Sequence, residues 1–186
     1  MAVQVRGTHF GWSLVVAVGL ALGAGGCGKE QGSVQTQAPL QAKLGTYDTI
    51  VISAAAADAA NAAHTDRLAH AIKAGLESRG TFANVVVGEP APEAGVSLQV
   101  TLVSLDQCSE VARTMNLGGE SEMTVDCKLV ELGSDKALGT FSATGNSSRK
   151  VQTSINGVNT GIADDLTGRA IMATADQVAQ FLTDNK

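Results

Sequence analysis

The side chains that could do chemistry are few, and their spacing keeps them apart. His64 and His70 are six residues apart, which on a helix is about 240° of rotation, so they point to different faces. Metal-binding helices instead use pairs four residues apart. Asp164 and Asp165 are adjacent, and adjacent carboxylates do not converge on one substrate, whereas both suit the amino end of a helix. The sequence therefore predicts no metal site, no cofactor site and no catalytic carboxylate pair.

Nucleophilic catalysis has no better support in the sequence. Serines are frequent, but no Gly-x-Ser-x-Gly elbow is present and no histidine in the carboxy-terminal half could serve as a base. No glycine-rich phosphate loop follows a predicted strand. The residue types therefore favour a protein that is not an enzyme and that has no catalytic residues to name.

The first 27 residues have the layout of a secretory signal. Arg6 and the amino terminus give a positive flank, and Gly11–Leu22 supplies about a dozen apolar or small residues. Small residues then lead to Cys27. The apolar segment is shorter than the ~20 residues that a membrane span needs. The pattern therefore indicates an export signal ending in a cysteine.

The tetrapeptide Ala24-Gly25-Gly26-Cys27 resembles the lipobox of bacterial lipoproteins, although Ala24 stands where the common pattern has Leu. The resemblance implies a signal peptide over residues 1–26 and lipidation (palmitate among the acyl chains) at Cys27, with a membrane as the first partner. The alternatives are an ordinary secretory signal, which would leave a free thiol, and an uncleaved anchor. Gly28 stands where lipoproteins of the inner membrane often have Asp, so the resemblance implies an outer-membrane protein facing the periplasm.

The composition limits the partners and the organisation of the rest of the chain. A net charge of −5 without basic clusters argues against nucleic acid and against electrostatic adhesion to anionic lipid. Aromatic residues are only 3%, so an aromatic-lined ligand pocket is hard to build. Residues 27–44 are polar and lack apolar periodicity, which predicts a flexible tether after the lipidated cysteine. Residues 45–186 then form a single domain of ordinary size.

Hydrophobic periodicity in residues 45–186 predicts an α+β fold. Alternating apolar and polar residues indicate strands with one wet face, and a stripe at helical spacing indicates a half-buried helix. The predicted elements in chain order are the strand Tyr47–Ser53, a helix around Leu68–Leu76 that stops at Gly80, and the strands Phe82–Gly88, Val96–Leu102, Met123–Leu129 and Lys136–Ser147, followed by a helix from Ile162 to Leu182.

The order β-α-β-β-β-β-α predicts two layers, a mixed and mainly antiparallel sheet with two helices packed on one face. Leu105 breaks the alternation of its strand, which indicates a bulge or twist. A tight register that pairs Leu102 with Val125 would place Cys127 opposite Val100. Residues 149–161 fit either a loop or a small hairpin.

From Tyr47 to Lys186 the chain resembles a group of small bacterial envelope lipoproteins that carry a domain of uncharacterised function. The group is similar in layout to the periplasmic parts of CsgG-like proteins and TolB amino-terminal domains. The residues that carry the resemblance are Tyr47–Val51, Leu76–Val85 and Val130–Gly139. It implies a non-enzymatic interaction or assembly domain with an envelope protein as partner. An envelope enzyme, a small-ligand binder and a subunit of a secretion complex remain alternatives.

With Cys27 assigned to lipid, Cys108 and Cys127 are left as an even pair in an oxidising compartment. Cys108 would have to fold back from its connection to reach Cys127, because a bridge needs Cα atoms within ~7 Å. The sequence predicts a structural disulfide between Cys108 and Cys127. The alternative is two free cysteines, with Cys127 filling the core.

Overall fold

A computed structural model describes residues 32–88, 93–107, 120–148, 154–155, 158–159 and 165–186. It confirms the α+β class, with a six-stranded mixed sheet and a helical layer. The elements are β1 (Val34–Ala38), β2 (Thr49–Ala56), α1 (Thr65–Arg79), β3 (Asn84–Val87), β4 (Val96–Asp106), β5 (Glu122–Glu131), β6 (Ala137–Asn146), β7 (Ser154–Ile155), β8 (Val158–Asn159) and α2 (Leu166–Asp184). Short 3₁₀ turns at Leu44–Thr46 and Ala59–His64 precede β2 and α1.

The strand order of the sheet is β1-β6-β5-β4-β2-β3. β2 runs parallel to both β3 and β4, and the remaining pairs are antiparallel. The meander β4-β5-β6 has the register expected from the alternating pattern, with Leu102 opposite Val125 and Val100 opposite Cys127. The ladder of β4 shifts between Leu102 and Ser104, just before the predicted irregularity at Leu105, and leaves Val103 42% exposed.

The tether predicted for residues 27–44 is wrong from Val34 onward, because β1 lies inside that segment. β1 is an edge strand paired with β6, and the three residues between Val34 and Ala38 are exposed. Its stability therefore comes from backbone hydrogen bonds rather than from an apolar face, so hydrophobic periodicity does not reveal it. Leu44, also inside the predicted tether, is fully buried in the core.

Both helices cover the same face of the sheet. α1 begins at Thr65 and ends as predicted at Gly80, whose φ of 60° places it in the left-handed conformation that suits a helix stop. α2 begins at Leu166, later than the predicted Ile162, because Asp165 caps it by accepting a 2.5 Å hydrogen bond from the Gly168 amide. The helices bury the apolar stripes Leu68, Ile72 and Leu76 of α1 and Ile171, Ala175, Val178 and Leu182 of α2.

The small β7–β8 pair lies in the region for which a loop or a small hairpin was predicted. Ser154–Ile155 pairs antiparallel with Val158–Asn159, which confirms the hairpin. This pair forms its own two-stranded sheet and does not extend the six-stranded one.

The contact between α2 and β6 is close because a glycine lies beneath the helix. A Cβ on Gly145 would lie 2.2 Å from the amide nitrogen of Thr174. The Thr174 hydroxyl is fully buried and donates to the carbonyl of Ala170 at 2.8 Å, with the carbonyl of Met123 at 3.3 Å. The helix backbone therefore rests directly on the strand, and a side chain at position 145 has no room.

We expect Gly145→Ala to lower the free energy of unfolding by about 1–3 kcal/mol, the usual cost of overpacking a core. Urea unfolding followed by circular dichroism measures this change. Gly45→Ala is the matched control, because a Cβ there meets its nearest neighbour, in Lys186, at an ordinary 3.4 Å. Equal stability of the two variants would contradict the close contact between α2 and β6.

Candidate interaction surface

The face of the sheet opposite the helices is polar, and the described elements leave it open to solvent. β4, β5 and β6 present side chains of alternate residues to this face because successive residues of a strand point to opposite sides. Four of these side chains are solvent-exposed: Gln99, Thr101, Asp126 and Lys128. The register aligns them in cross-strand pairs, with Gln99 beside Lys128 and Thr101 beside Asp126. We call this surface the open face.

A hydrogen-bonded cluster on the open face joins three strands. Gln37 of β1 donates from Nε2 to Ser142 Oγ at 2.5 Å and to Asp126 Oδ1 at 3.2 Å. Ser142 of β6 in turn donates to the same Asp126 oxygen on β5 at 2.5 Å. The cluster fastens the edge strand β1 to the sheet and offers a polar partner further donors and acceptors. A serine bonded to a carboxylate without a histidine between them does not form a catalytic triad.

A second polar cluster lies where the 3₁₀ turn before β2 meets the turn after β5. Tyr47 donates from its hydroxyl to Glu131 Oε1 at 2.8 Å, and Ser134 donates to Oε2 at 2.6 Å. These two donors, Ser134 first, hold the pKa of Glu131 below its usual value. The hydrogen bond to Glu131, followed by burial, raises the pKa of Tyr47. The cluster ties the chain before β2 to the β5–β6 turn.

Cys127 is a free thiol in the core, whereas Cys27 and Cys108 lie outside the described residues. Cys127 is 2% exposed and lies between Val100 of β4 and Phe141 of β6. Burial raises the pKa of the Cys127 thiol because the charged thiolate would be poorly solvated there. Its side chain fills the core beneath the helices.

The predicted bridge between Cys108 and Cys127 falls partly outside the described residues, and within them Cys127 is a free thiol placed in the middle of β5. β4 ends at Asp106, which pairs with Glu122. Glu122 is about 17 Å along β5 from Cys127, at ~3.4 Å per residue. Cys108 itself lies outside the described residues. Cys127 fills the core, as the alternative interpretation expected of this residue.

The histidines and aspartates singled out in the sequence do not form a site. His64 precedes α1, and His70 on α1 is exposed, with Nδ1 2.9 Å from the carbonyl oxygen of Asp66. Asp164 lies outside the described residues. Asp165 caps α2, as expected for the amino end of a helix, and lies 3.5 Å from Arg67 of α1. Within the described ranges, no three His, Cys, Asp or Glu residues are grouped so as to hold a metal ion.

A surface hollow of about 270 Å³ lies near the carboxy terminus. It is smaller than the ~300–1,000 Å³ of ordinary ligand pockets. Its lining contains one charged side chain and comprises Leu40, Gln41, Ala42, Lys43 and Asn185. Lys43 is the one titratable side chain in this lining, so the hollow offers no acid–base pair and no nucleophile next to a base.

The open face was only partly visible in the sequence. The alternation of β5 and β6 marks Asp126 and Ser142 as outward-facing, but nothing in the pattern brings them together. Gln37 was missed because it lies in a segment without apolar periodicity. The sheet register, rather than sequence spacing, creates the cluster.

None of the helices in the described part of the chain is long and apolar enough to cross a lipid bilayer.

A model of the protein family described as "Domain of unknown function (DUF4410)" matches residues 29–149. Among curated proteins, no match is found. Solved structures similar to this chain include the PelC dodecamer from Paraburkholderia phytofirmans, with 17% identity, 84% of this chain and 99% of that chain covered, and a TM-score of 0.48. A minor lipoprotein from Acinetobacter baumannii is 16% identical in sequence. The match covers 75% of this chain and 95% of that chain, with a TM-score of 0.43. Lipoprotein GNA1162 from Neisseria meningitidis is 14% identical in sequence. The match covers 71% of this chain and 98% of that chain, with a TM-score of 0.36.

We expect Cys127 to react with iodoacetamide at least roughly tenfold more slowly in the native protein than in urea, because the thiolate is the reactive species and burial disfavours it. Peptide mass mapping after timed alkylation measures the rate at this residue, and the same peptide in urea is the control. A peptide pair linked by a disulfide between Cys108 and Cys127, or equally fast native labelling, would contradict the buried free thiol.

We expect Ser134→Ala to raise the pKa of Glu131 more than Tyr47→Phe does, because the bond from Ser134 is the larger cause of its lowering. The chemical shift of the Glu131 carboxyl carbon, followed by NMR as a function of pH, measures this pKa in both variants. Since the folded pKa is lowered, the carboxylate stabilises the fold above its ordinary pKa of ~4.3. That contribution is lost as the pH falls through the folded pKa. An unchanged titration in both variants would contradict this assignment.

Proposed function

The chain belongs to the DUF4410 family of domains of unknown function, and for this member we propose a membrane-anchored bacterial lipoprotein with a non-enzymatic interaction domain in the periplasm. The observation that carries the proposal is Cys27 behind the small residues Ala24–Gly26, at the end of a positively flanked apolar segment. Acylation of this cysteine would hold the protein on a membrane without a transmembrane helix. Two or more acyl chains are needed for stable anchoring.

The start of the folded domain supports this proposal. The carbonyl of Gly32 accepts a 2.9 Å hydrogen bond from Gln177 of α2, and the carbonyl of Ser33 accepts one of 2.9 Å from the Thr144 amide of β6. The folded domain therefore begins five residues after Cys27, so an acyl chain on that cysteine would lie close to the domain. We propose the periplasmic side of the outer membrane, since Gly28 occupies the position after the cysteine.

We propose the open face as the surface that contacts an envelope protein. α1 is less suited to this role, because it buries its apolar stripe against the sheet and α2. The edge at β3 is partly blocked, because Lys73 donates from Nζ to the carbonyl of Val85 at 2.7 Å. A lysine over a strand edge is a common protection against edge pairing. The open face instead presents solvated amide, hydroxyl, carboxylate and ammonium groups, which suit a polar partner surface.

The alternative functions, an envelope enzyme or a small-ligand binder, have no specific observation in their favour among the described residues. The Gln37–Ser142–Asp126 cluster has no histidine in its hydrogen bonds. We therefore propose no catalytic step and no cofactor.

We expect Cys27→Ala to abolish membrane attachment when the protein is made in a bacterium with a lipoprotein pathway, because the thiol that carries the lipid is removed. Membrane fractionation and intact mass measure the result, and the unaltered protein should begin at Cys27 and carry acyl mass. Cys108→Ala is the matched control and should remain acylated and membrane-bound. A soluble, unacylated chain cut at another residue would overturn the proposal in favour of ordinary secretion with a free Cys27 thiol.

A further inference from the structure

β1 limits how far the domain can lie from its anchor. Pairing of Val34 with Ala143 starts the β1–β6 ladder, and the carbonyls of Gly32 and Ser33 are already bonded to α2 and β6. The chain is therefore fastened to the domain from Gly32 onward. A polar segment that was expected to be a free tether is part of the fold.

The length of chain between Cys27 and Gly32 then sets the reach of the anchor. Five residue steps span at most ~18 Å at ~3.6 Å per residue. A tether free up to Leu44 would have spanned about 60 Å on the same basis. Docking of β1 therefore shortens the possible separation between the lipid and the domain about threefold.

The fold defines which end of the domain lies at the anchor. The Gly32 end is where β1 begins, β6 finishes at Asn146 and α2 begins at Leu166. The opposite end, which we call the Lys186 end, carries the carboxy terminus and the turn before β6. The ten residues of β6 separate the two ends by ~33 Å.

We propose that the Gly32 end is the membrane-facing end of the domain, held within ~18 Å of the bilayer that carries the anchor, with the Lys186 end directed away. This inference rests on the proposed lipidation of Cys27. The occupant next to the Gly32 end is thus the lipid surface itself. Proximity comes from the covalent anchor rather than from adhesion, because Asp58, Asp66 and Asp106 are exposed at this end and disfavour an anionic surface.

Quenching of a fluorescent label by a spin-labelled lipid tests this orientation. A bimane label is placed at one end through Ser148→Cys or at the other through Lys136→Cys, both exposed positions that flank β6. Both variants carry Cys108→Ser, and Cys127 is buried. The acylated proteins are reconstituted into phosphatidylcholine vesicles that contain a spin-labelled headgroup lipid. We expect quenching at position 148 to be roughly twofold or more stronger than at position 136, because the labels are ~33 Å apart along β6.

A lengthened linker is the matched control. Insertion of fifteen Gly and Ser residues between Gln31 and Gly32 is expected to reduce the difference between the two positions, since the reach of the anchor then increases severalfold. Equal quenching at the two positions in the acylated protein, or stronger quenching at position 136, would overturn the orientation alone. Absence of acyl mass on the purified protein would instead overturn the proposed function, and the orientation with it.

Discussion

The antiparallel pairing of β4 with β5 determines the face of the sheet on which the central side chains lie. Its register sets Val100 beside Cys127 on the helix side and Thr101 beside Asp126 on the solvent side. A slip of one residue would move every apolar side chain of a strand to water, so the register is held by the whole buried face. The buried thiol and the polar open face are both consequences of this pairing.

The helical layer completes the core with few aromatic residues. Aromatic residues are 3% of the chain, and one aromatic contact joins Phe141 of β6 to Phe181 of α2 with ring centroids 4.1 Å apart. Elsewhere the layers approach through small residues, as at Gly145 beneath Thr174 and at Gly75, whose Cβ would lie 3.0 Å from that of Ala179. Close packing of small side chains compensates for the missing ring area, because contact at the van der Waals distance is what stabilises an interior.

The edge strand β1 links this architecture to the proposed location of the protein. It has little apolar surface of its own, and backbone bonds to β6 and the Gln37–Ser142–Asp126 cluster hold it in place. The pairing of β1 with β6 also brings the start of the folded domain close to Cys27. With the proposed acylation of Cys27, this short connection would keep the domain near the membrane that carries the anchor.

Much of the fold was predictable from the sequence, and the limits have physical causes. Alternation over Val96–Leu102 and Met123–Leu129 predicted the central strands and their register, because alternating apolar and polar residues mark the buried and exposed positions of a strand. The helical stripe around Leu68–Leu76 predicted α1 in the same way. The proposed export signal and the candidate acylation site at Cys27 likewise rest on the sequence alone, because a protease and a lipid transferase act on local sequence.

Only the tertiary structure decided the features that depend on distance between segments. β1 has no burial pattern, so its place at the edge follows from backbone pairing with β6 and from the side-chain hydrogen bonds of Gln37. The Gln37–Ser142–Asp126 cluster exists because three strands align in one register. Cys127 is a buried thiol because the sheet places it mid-strand and facing the core, between Val100 and Phe141. Residue types specified which groups were present, whereas the geometry of the sheet determined which of them meet.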